Sequence, residues 1–144
     1  MDAITALHTR KAAPRLVEPA PSQDELTLIY KAALRAPDHA MLRTWRFLVV
    51  KEDARNKLGE LFVEALKPKT QERKNKLRTA PLRAPMIIIA VSTIVDHPNV
   101  PAVEQISSTA AAVQNMSLAA HALGYASIWR TGAVASNEKV KLGL

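Results

Sequence analysis

The sequence predicts a mixed α/β sandwich of the α+β kind, with elements in the order αα-β-α-α-β-α-β-α. Three observations carry this. The chain has 144 residues, 48% of them hydrophobic, enough for one folded domain with a buried core. Three short runs, residues 45–50 (WRFLVV), 86–91 (MIIIAV) and 125–129 (YASIW), read as strands: they are apolar, β-branched or aromatic, and too short for helices. The stretches around them place apolar residues at helical spacing, so strands and helices must bury their faces against one another in layers.

Residues 2–9 predict a short helix with Ile4 and Leu7 inward, which runs into Arg10-Lys11-Ala12-Ala13-Pro14-Arg15. Residues 18–21 (EPAP) are extended, because proline disfavours helix at the residue before it. Ser22 opens the second helix and Glu25 completes a capping box. Leu26, Ile29, Tyr30 and Ala33 share one face of it, and Pro37 stops it. After the first strand, Asp53 starts an amphipathic helix with Leu58, Leu61, Phe62, Ala65 and Leu66 inward. A polar, basic helix spans 70–79 and ends at Ala80-Pro81.

The unbroken apolar run 86–91 predicts a strand buried on both faces. Pro98 and Pro101 mark a loop. Residues 103–123 make the longest helix, whose later part is apolar almost all round and so expected to be central and buried. Small side chains at 107–112 admit a close neighbour, equally well in a crowded core or across a dimer interface. Gly124 suits the position after a helix end, and residues 137–142 read as a last helix.

Composition excludes several chemistries. There is no cysteine, so disulfides, thiolate nucleophiles and cysteine-based metal sites are out. The four glycines form neither G-x-G-x-x-G nor a P-loop, so any phosphate must be held by side chains and backbone donors elsewhere. His8, His39, His97 and His121 lack H-E-x-x-H spacing, and no G-x-S-x-G elbow is present. An enzyme of this composition borrows its chemistry from a cofactor. No apolar run approaches the ~20 residues of a membrane span, and no apolar signal segment opens the chain. The expected location is cytoplasmic, with no membrane partner.

Net charge is +7, and all of the excess lies between Arg43 and Arg83, where twelve Lys or Arg stand against five Asp or Glu. The densest part, residues 67–78, reads as a solvated face, as a patch attracting anionic cofactors or substrates, or as a nucleic-acid footprint. No aromatic residue interleaves it for base stacking, so no nucleic-acid partner is expected.

Three constellations stand out. Arg10, Lys11 and Arg15 cluster after a short helix, which fits either surface charge or an anion site. Arg35-Ala36-Pro37-Asp38-His39 follows a capped helix; His39 suits a loop carbonyl or a ligand. Residues 124–132 (GYASIWRTG) end a strand in Trp129-Arg130-Thr131-Gly132, where Trp129 suits core and Arg130 suits a phosphate or a flavin edge.

Together these segments resemble the nitroreductase family of FMN-dependent NAD(P)H oxidoreductases, most closely its small single-domain bacterial subgroup. The likeness is carried in order by Arg15-Leu16-Val17-Glu18-Pro19-Ala20-Pro21, by Arg35-Ala36-Pro37-Asp38-His39 with Trp45, by Ala80-Pro81 with Arg83-Ala84-Pro85, and by Ile128-Trp129-Arg130-Thr131-Gly132. The resemblance implies an α+β sandwich with a mixed, mostly antiparallel sheet flanked by helices, in an intertwined homodimer with FMN at the interface. It maps Arg10, Lys11 and Ala12 to the FMN phosphate and ribityl chain. Arg35 and His39 reach the flavin from the partner subunit; Trp129, Arg130 and Thr131 contact it within their own subunit. Residues 119–124 lie near a nicotinamide-nucleotide site.

The implied activity passes a hydride from NADH or NADPH through flavin N5 to a small-molecule electron acceptor (a nitroaromatic, a quinone or an enone), by a ping-pong route with no catalytic side chain. Two departures stand out: Ala12 replaces a usual serine and offers only its backbone N–H, and Thr44 replaces a proline, which is expected to loosen that loop. The resemblance further implies that residues 1–144 form one such domain without the family's usual last strand and C-terminal arm, and hence weaker FMN retention. That shortfall and Ala12 motivate an alternative, an inactive flavin-binding or structural dimer of the same fold.

Overall fold

The computed structural model describes all 144 residues, Met1–Leu144. It resolves into two compact units: Met1–Ala13, Ala20–Leu48 and Ile88–Ile128 form the first, and Pro14–Pro19, Val49–Ile87 and Trp129–Leu144 the second. Two strands, β1 (Trp45–Lys51) and β2 (Met86–Ser92), pair as a small antiparallel sheet. Each strand is divided between the units, with residues 45–48 and 88–92 in the first.

The first unit is built on α2 (Gln23–Ala33) and α5 (Ala102–Ala122), which pack against each other. Ser22 caps α2 as expected: its hydroxyl accepts from Glu25 N, and the Glu25 carboxylate accepts from Ser22 N at 2.8 Å. Ile29, Ala33, Ala36, Ala112 and Met116 form the core, with Tyr30 stacked on Phe47 at 6.1 Å between ring centroids. The small residues of α5 serve this core, since Ala112 is fully buried and the Ser108 hydroxyl donates to the Pro37 carbonyl at 2.6 Å. Buried Gln105 organises the loop after β2, accepting from Val95 N and donating to the Val95 and Val100 carbonyls. Asn115 donates to the Ala32 carbonyl at the end of α2.

In the second unit, α3 (Ala54–Leu66) packs on α4 (Gln71–Thr79) and on the 3-10 turn Ala80–Arg83. Gly59 makes the α3–α4 approach possible: a Cβ there would collide with the Arg78 carbonyl. Thr70 caps α4 by accepting from Arg73 N. The Arg78 guanidinium grips the Glu60 carboxylate with two hydrogen bonds and holds it below the ordinary carboxylate range. Two short helices, α6 (Ala133–Ser136) and α7 (Glu138–Leu142), close the unit on α3, with Lys139 donating to Glu64 at 2.6 Å.

Several expectations need correction. Residues 125–129 are not a strand; they contribute one isolated parallel bridge, Ala12 to Ser127. The pairing goes no further than that one bridge. β2 is half-buried rather than buried on both faces, as befits a two-stranded sheet. In α1 (Ala3–Thr9), Ala6 is the buried residue, whereas Ile4 and Leu7 are exposed; the face that meets α5 is the one with the small side chain. The buried positions of α5 run from Gln105 to Met116, and its later part is only half-buried. α6 was not foreseen, and α2 ends at Ala33, before Pro37.

Candidate functional site

The first unit assembles the cation segment 10–12. α1 is capped at its start by Asp2 and ends at Arg10, whose N–H donates to the Ala6 carbonyl. Lys11 and Ala12 are exposed and Arg10 is half-buried. Two residues on, Ala13 N donates to the Ser127 carbonyl at 3.2 Å and closes the bridge to Ala12. In this parallel bridge the bonds to Ser127 come from the neighbours of Ala12, Ala13 N among them, so the N–H and C=O of Ala12 itself face away from it. Neither Arg10 nor Lys11 forms an ion pair; the five ion pairs of the chain all lie elsewhere.

The segment 125–128 is in turn tied to the start of α2. The Tyr125 hydroxyl donates to the Glu25 carboxylate at 2.8 Å. Hydrogen bonds from the Ser22 hydroxyl, the Ser22 backbone and then Tyr125 hold Glu25 below its ordinary range, while donation to that carboxylate pushes the Tyr125 phenol up. Gly124, at φ +92°, makes the left-handed turn from α5 into this segment.

Three of the five non-glycine residues with positive φ lie in the loop 37–44. Ala40, Met41 and Arg43 all have φ between 49° and 59°, a left-handed conformation that costs a non-glycine residue about 1–2 kcal/mol each. Surrounding contacts over-determine it. The Asp38 carboxylate accepts from Arg43 N at 2.8 Å, the Asp38 carbonyl accepts from Met41 N, and Thr93 N donates to the Thr44 carbonyl. Thr44 therefore does not leave the loop slack, although its own buried hydroxyl has no partner. His39 does not bond a loop carbonyl; its Nδ1 lies 2.7 Å from the carboxylate of Glu104, in the first turn of α5. An ionised carboxylate only accepts, so Nδ1 donates and Nε2 is the free ring nitrogen. Glu104, 65 residues away in sequence, was not foreseen as a partner. Arg35 is exposed and unpaired.

Trp129, Arg130 and Thr131 open the second unit, and all three are exposed. Trp129 is 51% exposed, which removes its reading as plain core. Arg130 has no ion pair, and Gly132, at φ +93°, turns the chain into α6. Thus the 10–12 segment meets the chain at Ser127 through Ala12 and Ala13, and His39 meets Glu104, while Arg35 joins neither. No group of His, Asp and Glu side chains could hold a metal ion. No helix is long and apolar enough to cross a membrane.

The fold is α+β, and Arg10, Lys11, Arg35 and Arg130 stand without ion-pair partners on short connecting segments. The particular family follows from comparison with known proteins. The nitroreductase family model matches residues 16–141, and the chain belongs to that family of oxidoreductase enzymes. It is 37% identical over 143 residues to an Escherichia coli K12 protein named "Putative NAD(P)H nitroreductase YdjA", covering 98% of this chain and 78% of that one. Among solved structures, a nitroreductase-like family protein from Bacillus cereus superposes with a TM-score of 0.84 at 20% identity, covering 99% of this chain and 76% of that one. That likeness is one of fold. A Clostridium difficile protein described as an FMN-dependent nitroreductase is 28% identical with a TM-score of 0.65, covering 94% of this chain and 69% of that one.

Proposed function

We propose that the protein is an FMN-dependent oxidoreductase that takes reducing equivalents from NADH or NADPH and delivers them to small acceptors such as nitroaromatics or quinones, donor and acceptor using one site in turn. The observation that carries this reading is the 10–12 segment: two cations without carboxylate partners beside an outward-facing Ala12 N–H. That donor set fits a phosphate monoester, which accepts charge-assisted hydrogen bonds from both kinds of group. The description of the Clostridium difficile relative as FMN-dependent supports the choice of phosphate-bearing cofactor. We read residues 1–144 as one domain of this kind, as the family match over most of the chain supports.

Bound FMN would supply hydride acceptance and donation at its ring. The chain's own residues bind and orient it. Arg10 and Lys11 neutralise the phosphate, and the Ala12 N–H donates to it in place of a hydroxyl. Arg130 would place positive charge beside the flavin ring, an electrostatic contribution that needs no proton transfer. Trp129 and Thr131 lend a flat apolar face and a hydroxyl. In a homodimer with the cofactor at its interface, Arg35 and His39 contact the partner's flavin, and Glu104 fixes the His39 ring so that Nε2 is the atom presented.

The purified protein is expected to be yellow and to release FMN on denaturation. Arg130→Ala is expected to lower FMN affinity while leaving the melting temperature nearly unchanged, since Arg130 is exposed and unpaired. A colourless protein that cannot be reconstituted with FMN would overturn the reading; FMN binding without turnover of a quinone by NADH or NADPH would favour a non-catalytic flavin-binding role.

A further inference from the structure

The Thr9 hydroxyl has one proton, and it donates that proton to the Thr5 carbonyl at 2.6 Å. The same oxygen lies 2.8 Å from His121 Nε2. With its proton committed, Thr9 Oγ1 can only accept, so His121 Nε2 carries a hydrogen. Thr9 is the last residue of α1, and His121 stands in the last turn of α5. The next residue in the chain is Arg10.

The cation segment is thus suspended between two anchors, both delivered by the chain at 121–127. His121 holds Thr9 on one side, and the Ser127 carbonyl holds Ala13 on the other. α1 does not need His121 to close, because Arg10 N already donates to the Ala6 carbonyl. What the His121 anchor adds is a fixed starting point for Arg10, Lys11 and Ala12.

We infer that His121 is a positioning residue for the 10–12 anion-binding segment, acting through the Thr9 hydroxyl, and that it thereby sets how tightly the phosphate of a flavin nucleotide is held. The inference rests on the flavin reading above and adds a residue to it. Loss of the anchor loosens the cations while the flavin ring contacts, supplied by other residues, remain. The effect therefore falls on the phosphate and spares the ring.

The test is a fluorescence titration of FMN and of riboflavin, which lacks the phosphate, onto the flavin-free 144-residue chain and its variants. His121→Phe is expected to weaken FMN about three- to tenfold, the worth of one hydrogen bond, while riboflavin changes by less than about twofold. His121→Gln, which keeps a donor at similar reach, is expected to recover FMN affinity. Thr9→Val removes the acceptor from the other side and should reproduce the loss, with no further loss in the double variant. Unchanged FMN affinity in both His121→Phe and Thr9→Val, or equal loss of FMN and riboflavin, overturns the inference and leaves the flavin reading standing. A parent chain that binds neither flavin overturns both.

Discussion

The two units are stabilised by different means. In the first, α2 and α5 bury a continuous apolar cluster, Ile29, Ala33, Ala36, Ala112 and Met116, and polar side chains such as Gln105, Ser108 and Asn115 close the backbone around it. In the second, few side chains are buried (Leu58, Pro81 and Val140), and α3, α4 and α7 are joined by close backbone approach at Gly59 and by the Arg78–Glu60 and Lys139–Glu64 pairs. The basic excess of the chain falls largely in this second unit, where part of it is neutralised within the fold. The cations at 10–11 and at 35 belong to the first unit and are left unpaired.

Substitutions sharpen this contrast, from the largest expected effect to the smallest. Ile29→Ala should cost about 3 kcal/mol in urea denaturation, because a fully packed core side chain loses both transfer energy and contacts. A loss below about 1 kcal/mol would mean the first unit is not held by that cluster. Gly59→Ala should cost about 2 kcal/mol, since the new methyl meets the Arg78 backbone rather than a movable side chain. A neutral result would show that α3 and α4 can separate freely. Thr44→Val should stabilise by about 1 kcal/mol, because the buried Thr44 hydroxyl has no partner and valine keeps the shape.

The smallest effect is one of pH. The folded pKa of Glu25 lies below its unfolded value, so its contribution is fully present above the ordinary carboxylate range and is lost as pH falls through the folded value. Glu25→Gln should flatten that acidic limb of the stability curve, as followed by thermal melts across the acid range. An unchanged limb would show that the Ser22–Glu25–Tyr125 network contributes no measurable linkage.

Much of the fold is legible locally. Ser22 with Glu25, Thr70 before a polar helix, and Gly124 after a long one announce helix ends because capping is decided within four residues. The two strands with aromatic and β-branched runs formed as expected, with bounds shifted by one residue. YASIW also combines aromatic and β-branched residues but did not become a strand, since a ladder needs a partner long enough to pair with. The site was legible in part: the motif segments are in the sequence, but the partners that orient them are not. Glu104 on His39 and His121 on Thr9 lie 65 and 112 residues away and leave no trace in local spacing.

What the sequence alone determined was the family, the helix caps and the residue types at each candidate position, all of which depend on neighbours in the chain. The tertiary structure decided which face of α1 is buried, which nitrogen of His39 is free, that Trp129 is exposed, and which cations remain unpaired. Those outcomes depend on which distant element arrives at each residue, and burial and hydrogen bonding are settled only when it does.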